Sequence, residues 1–212
     1  MRGLDRRGDA RGTMKAYVFN DVHTDAAAAG TIVSAAARAD VVVGAGDLSS
    51  VHTGLDRTIG VLKAIERPTL LVAGNNETPD ELREACRAWP SATVLHGDGR
   101  TLDGVAFFGL GGAAETPWNW SFDLSEEEFE RRLAAAPPGG VWILHSPPWG
   151  YLDGDARTSR HFGSMAVRRA IEAKRPKWVF CGHVHDHFGS EETLGATRVL
   201  NAGPRGRFIE LL

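Results

Sequence analysis

Trp178-Val179-Phe180-Cys181-Gly182-His183-Val184-His185 is a four-residue apolar run that stops at a glycine and then delivers two histidines. A short, continuously apolar run suggests a strand buried on both faces, as in parallel sheets covered by helices. Working outward, four more runs share this form. Ala16–Phe19 leads into Asp21-Val22-His23, and Val41–Val43 into Gly46-Asp47. Leu70–Val72 leads into Gly74-Asn75-Asn76-Glu77, and Trp142–Leu144 into His145. In open α/β sheets, ligands gather beyond the carboxyl ends of the strands. Asp21, His23, Asp47, Asn75, His145, His183 and His185 are therefore expected to converge on one spot. Such a mixture of imidazole, carboxylate and amide oxygen suits a pair of divalent metal ions.

The segments between these runs alternate. Thr24 or Asp25 can cap an Ala-rich helix to about Arg38. Leu55, Ile59, Leu62 and Ile65 recur at helical spacing, in a helix that Arg67-Pro68 ends. Thr78-Pro79-Asp80-Glu81 starts a third helix, to about Trp89. The middle of the chain changes character. Asp103-Gly104 between Arg100–Leu102 and Val105–Phe108 predicts a hairpin. A loop rich in glycine and tryptophan follows, and then Ser125 with Glu128 as a capping box. After the Trp142–Leu144 run comes a long loop from Ser146 to Gly163, and then a helix with Val167, Ala170 and Ile171 on one face. Thr193–Leu194, Arg198–Asn201 and Arg207–Leu211 read as strands. Alternating strand and helix first and a mixed pattern later predict two mixed sheets packed face to face with helices outside, a four-layer α/β/β/α sandwich.

A chain of 212 residues suffices for one domain with a sizeable core, expected over 14–212. The balance of 24 basic against 27 acidic residues, net −3, provides no electrostatic footprint for nucleic acid as a scaffold partner. No segment reaches transmembrane length, so no membrane partner is expected. Residues 1–13 carry Arg2, Arg6, Arg7 and Arg11 among glycines, without the apolar stretch of a secretory signal. They are expected to be a disordered extension, or read-through upstream of a start at Met14. The two cysteines, Cys86 and Cys181, are expected to be buried thiols in the cytoplasm. Neither sits in a nucleophile's setting, and no Gly-x-Ser-x-Gly elbow occurs.

In order, Asp21-x-His23, Gly46-Asp47, Gly74-Asn75-x-Glu77, His145 and Gly182-His183-x-His185 resemble the calcineurin-like metallophosphoesterase family. Each piece alone is weak; five in order at strand ends are not. His145-Ser146-Pro147-Pro148, His161-Phe162-Gly163-Ser164 and Cys181-Gly182-His183-Val184-His185-Asp186 look like its small bacterial members, related to the animal metallophosphoesterase-domain proteins. The resemblance implies two ions bridged by Asp47, with Asp21, His23 and His185 completing one site and Asn75, His145 and His183 the other. Manganese is the expected metal, with iron, zinc or nickel as alternatives. Such a pair polarises a phosphoryl oxygen, and a bridging hydroxide is the nucleophile. Asp25, Glu77 and Asp186 are candidates to orient ligands, against the plainer reading of a helix cap or a solvated carboxylate.

One position departs from the pattern. Most of the family carries a histidine between the Asn and the acidic residue of the third motif, where this chain has Asn76. An amide donates a hydrogen bond but no proton, so the resemblance implies a slow or selective hydrolase. His161, on the long loop, is a candidate substitute, and His52 another. The expected substrate is a small phosphodiester. The alternative is a catalytically weak or inactive metal-binding relative that serves as a protein-interaction module. Trp118 and Trp120 either stack on a base or aryl group, form a dimer patch, or pack on the core as a lid, and packing is the favoured reading. Arg157, Arg160 and Arg205 read as solvated arginines before phosphate clamps.

Overall fold

A computed structural model describes residues 13–157 and 160–211. The expected extension, residues 1–13, lies almost wholly outside the described residues. The first half runs β1 (Lys15–Phe19), α1 (Ala26–Ala36), β2 (Val41–Ala45), α2 (Leu55–Leu62), β3 (Thr69–Val72), α3 (Pro79–Ala85) and β4 (Ala92–Val94). The second half runs β5 (Asp98–Leu102), β6 (Val105–Leu110), α4 (Glu126–Leu133), β7 (Val141–Leu144), α5 (Met165–Lys174), β8 (Trp178–Cys181), β9 (Glu191–Leu194), β10 (Thr197–Asn201) and β11 (Arg207–Glu210). The strands form two sheets, ordered β11-β1-β2-β3-β4 and β5-β6-β7-β8-β10-β9.

The expected sandwich is present, and the alternation of side chains along each strand explains it. Val41, Val43 and Ala45 of β2 point between the sheets, where Val141, Ile143 and Phe180 meet them. Val42 points the other way, onto Ile32, Ile59 and Leu62 of the first helices. On the second sheet Trp142, Leu144 and Val179 face Phe129, Leu133, Val167 and Ile171 of α4 and α5. Three apolar layers thus separate four layers of secondary structure. Continuously apolar runs are required because both faces of each central strand are buried.

β1, β2 and β3 pair in parallel, as do β6, β7 and β8, so in each sheet the carboxyl ends of three neighbours lie along one edge. Asp103 and Gly104 both have positive φ, 46° and 83°, the demand of a type I′ turn. Several bounds differ from the sequence reading. α2 stops at Leu62, and the chain then turns, with Ile65 N bonding Leu62 O, so that Pro68 can enter β3. α3 stops at Ala85, and Trp89 Nε1 donates to Ile65 O (2.9 Å), leading the chain into the unforeseen edge strand β4. Ser125 caps α4, but Glu128 holds Arg131 and Arg132, so only half of the predicted capping box forms. Gly109 belongs to β6, so the expected glycine-rich loop begins later, and a Cβ on Gly111 would lie 2.4 Å from Ala73 O, so these glycines allow close packing. Among the described residues, no helix is long and apolar enough to cross a membrane.

Candidate metal centre

Tight turns at the strand ends set the donors. Asp21, His23, Asp47 and His183 have φ of 53°, 45°, 56° and 71°. Left-handed backbone at non-glycine residues is uncommon and costs on the order of 1–3 kcal/mol each. Four such residues at one place mark where this fold concentrates strain.

All seven expected residues converge. His23 Nε2 lies 3.6 Å from Asp21 Oδ1 and 3.5 Å from Asp47 Oδ2. His185 Nε2 lies 3.5 Å from Asp21 Oδ1 and 3.1 Å from His23 Nε2. On the other side, His145 Nε2 is 3.6 Å from Asp47 Oδ2 and 3.0 Å from Asn75 Oδ1, and His183 Nδ1 is 3.1 Å from that same oxygen. One oxygen of Asp47 therefore stands between the two groups. Asp21, His23 and His185 form one set able to hold a cation, and Asp21, Asp47 and His145 another.

Neighbouring groups aim the imidazoles. His145 Nδ1 donates to Ala45 O (2.9 Å) and His23 Nδ1 donates to Ser49 O (3.1 Å), which puts a proton on each Nδ1 and turns each Nε2 inward. Burial, reinforced by the charge of His145, pushes His183 down to about 3, so its ring is neutral and free to donate. Burial works against charge on His23 and Asp21 as well. The Asp21 hydrogen bond and the Asp47 charge nevertheless push His23 up to about 9, and bonds from His185 and His23 hold Asp21 well below the usual carboxylate range. The donor set fits divalent ions, with buried carboxylates, imidazoles and an amide oxygen, and a cation bound there would displace the proton that the carboxylates hold on His23.

The remaining candidates separate. Glu77, fully buried, accepts from Gly74 N (2.8 Å), Ser49 N (2.9 Å), Ser49 Oγ (2.9 Å) and Leu48 N (3.3 Å), tying the Asp47 turn to the Asn75 turn. Asp25 caps α1, its Oδ1 accepting from Ala27 N and Ala28 N, the plainer of the two roles expected of it. Asp186 lines the adjoining cavity and accepts from Ala156 N (3.0 Å). Asn76 donates from its side chain to Asp47 Oδ2 (2.6 Å) and accepts from Val51 N (2.8 Å), locking the central carboxylate. His161 is held by Asp153 (2.8 Å) and packs on Trp149, outside the residues that line the cavity. His52 is held between Glu81 (2.9 Å) and Trp120 O (2.7 Å). Both histidines are engaged in holding loops.

Three residues escaped the sequence reading. Asn20 Nδ2 donates to Asp21 Oδ2 (2.6 Å) and to Asn201 Oδ1 (2.8 Å), and the Asn201 amide reaches Val184 O (3.0 Å). This amide pair braces Asp21 against the His183 turn. Asp153, buried in the long loop, organises it through His161 and Gly163 N. Asn is unremarkable at a strand end and Asp in a loop, and a contact spanning 181 residues leaves no local pattern.

Residues 14–208 match the calcineurin-like phosphoesterase superfamily domain. The chain belongs to that superfamily. It is accordingly a metal-dependent hydrolase of phosphoric ester bonds. The uncharacterised protein MJ1162 of Methanocaldococcus jannaschii is 25% identical over 181 residues, 81% of this chain and 80% of that one. The fold is similar to TT1561 of Thermus thermophilus, with a TM-score of 0.73 at 19% identity, covering 94% of this phosphoesterase and 95% of TT1561. A dimetal phosphatase from Danio rerio superposes with a TM-score of 0.57 at 13% identity, covering 88% and 86%.

Proposed function

We propose that this phosphoesterase is a phosphodiesterase acting on a small phosphodiester with two divalent ions. Asp21, His23 and His185 would hold one ion, and Asn75, His145 and His183 the other, with Asp47 between them. One observation carries this reading: Asp47 Oδ2 lies 3.5 Å from His23 Nε2 and 3.6 Å from His145 Nε2, the position of a shared ligand. Mixed nitrogen and oxygen donors suit manganese, with iron, zinc or nickel as alternatives. Bound ions supply positive charge opposite the phosphoryl oxygens and acidify a water.

The chain's own residues do the rest. The adjoining cavity, about 650 Å³, is open enough for substituents on both sides of a phosphate. Its wall carries one arginine, Arg157, beside Asp155 and Asp186, a balance that suits a monoanionic diester better than a dianionic monoester. Asn76 keeps Asp47 in place and offers no proton, so a leaving group must depart without general-acid help from that position. Activated esters should therefore turn over far better than alkyl ones.

The same Asn76 motivates the second reading, a metal-binding relative with weak or no catalysis that serves as a protein-interaction module. Hydrolysis of bis-(p-nitrophenyl) phosphate separates the two. Manganese-dependent turnover that is lost in Asp47→Ala is expected for the phosphodiesterase. No turnover by protein shown to hold two ions would leave the interaction module.

A further inference from the structure

Three aromatic planes line one wall of the cavity, and they are parallel. Trp118 and Trp120 lie 5.6 Å apart between centroids at 10°, and Trp118 and Phe162 lie 6.5 Å apart at 11°. They come from loops about forty residues apart in sequence, one before β7 and one after it. None of the three belongs to an apolar layer of the sandwich, and Trp118 is 42% exposed. The expectation that the indoles pack on the core is thus corrected: their faces border the cavity.

The wall is fixed relative to the donor cluster. Phe162 meets His183 edge-on, at 6.0 Å and 81°. Asn75 Nδ2 donates to Ser121 Oγ (2.8 Å) and Asn75 O accepts from Phe122 N (2.9 Å), just past Trp120. His52 holds the Trp120 carbonyl (2.7 Å). Asp123 anchors the start of the loop through Thr116 N (2.7 Å) and Thr116 Oγ1 (2.8 Å). The backbone that carries the indoles is thus tied down, so less ordering entropy is lost when a flat group settles on them.

We propose that Trp118, Trp120 and Phe162 form a stacking subsite for a planar aromatic ring, of the size of a nucleobase, carried on the substrate's phosphate. The inference rests on the phosphodiesterase reading for the position of that phosphate. A ring is sequence-tolerantly recognised through its π-face. Arg157, Asp155 and Asp186 border the same cavity and offer polar contacts to a ring's edge.

The test uses three diesters with one leaving group: thymidine 5′-p-nitrophenyl phosphate, phenyl p-nitrophenyl phosphate and ethyl p-nitrophenyl phosphate. The readout is the kcat/KM of each diester with a second, non-leaving ring divided by that of the ethyl diester, whose one ring is the leaving group. Trp118→Ala should lower this ratio about ten-fold or more, the order expected for one lost base–aromatic stack, and Trp118→Phe should restore most of it. A loss confined to the thymidine ester assigns the slot to nucleobases, and a loss on both ring-bearing esters assigns it to any aryl group. A ratio unchanged in Trp118→Ala, or no recovery in Trp118→Phe, overturns the proposal. A second readout does not need turnover: quenching of tryptophan fluorescence by thymidine 5′-monophosphate on zinc-loaded protein. Saturable quenching that Trp118→Ala abolishes supports the subsite even if all three esters prove inert, a result that would instead refute the phosphodiesterase reading. Absent or unaltered quenching overturns the subsite itself.

Discussion

Replacing Glu77 tests whether the Asp47 and Asn75 turns are held by one buried carboxylate. Its two oxygens accept four hydrogen bonds, three of them from backbone N–H groups, of Leu48, Ser49 and Gly74. Glu77→Gln keeps the shape. Its amide oxygen can retain Leu48 N and Gly74 N, and its NH₂ can donate to Ser49 Oγ, whose own hydrogen still reaches Asn76 O. Only Ser49 N is then left facing a donor. An unsatisfied buried group costs about 1–3 kcal/mol. A loss of ~2 kcal/mol lowers Tm by roughly 4–8 °C in a chain of this size. Glu77→Ala strands the three backbone donors, since the Ser49 hydroxyl keeps Asn76 O, and should cost about 4 kcal/mol or more. Because these turns carry Asp47 and Asn75, metal affinity should fall about 10–100-fold in both variants. Thermal unfolding monitored by circular dichroism, and metal titration of chelator-treated protein, provide the readouts. A Glu77→Ala protein that melts like wild type and binds metal equally well would refute the reasoning, and Glu77 would be no more than a buried acid.

Other predictions follow from single contacts. Gly74→Ala puts a Cβ 1.9 Å from Asp47 Oδ1 and 2.3 Å from Asp47 N, so Asp47 must shift; metal analysis should show fewer than two bound ions, and full occupancy would contradict this. Asn76→His supplies a proton donor and should raise kcat on an unactivated alkyl diester by about 10²-fold or more while changing the bis-(p-nitrophenyl) ester little. Equal effects on both esters would count against a missing acid. His96 has a buried Nδ1 with no hydrogen-bond partner among the described residues, and burial, then Arg132 and Arg83, pushes it down to about 4. Below pH ~6.5 the unfolded chain takes up a proton that the folded one refuses until about pH 4, so stability falls as pH drops through that window. The slope is at most ~1.4 kcal/mol per pH unit, less for a ring partly open to solvent. Urea unfolding at pH 7 and pH 5 should show a smaller difference in His96→Phe, and an identical one would rule His96 out.

The parts of this fold legible in the sequence were those repeated along it. Buried central strands must be apolar on both faces, and each ended in side chains that a turn could present, so the layers and the seven donors could be read from local pattern. β4 was invisible because three half-buried residues carry no period. Asn20 and Asn201 were invisible because their value lies in a partner on the other sheet. The roles of Asp25 and His161 were ambiguous for the opposite reason. Each residue type suits several tasks, and only its neighbours, the α1 amides for one and Asp153 for the other, decide which it performs.

The division of donors between the two sheets also bears on synthesis. Asp21, His23, Asp47 and Asn75 leave the ribosome within the first 75 residues, whereas His145, His183 and His185 come only with β7 and β8. The first sheet lacks only its edge strand β11 by the time β4 emerges, yet it holds just half of a cage. Ions that need donors from both halves would be captured late, after the second sheet docks, and would then clasp the sheets together at the open edge. A chain interrupted before residue 183 would thus present an acidic, half-built cup, and metal retention during translation would report when the two halves have joined.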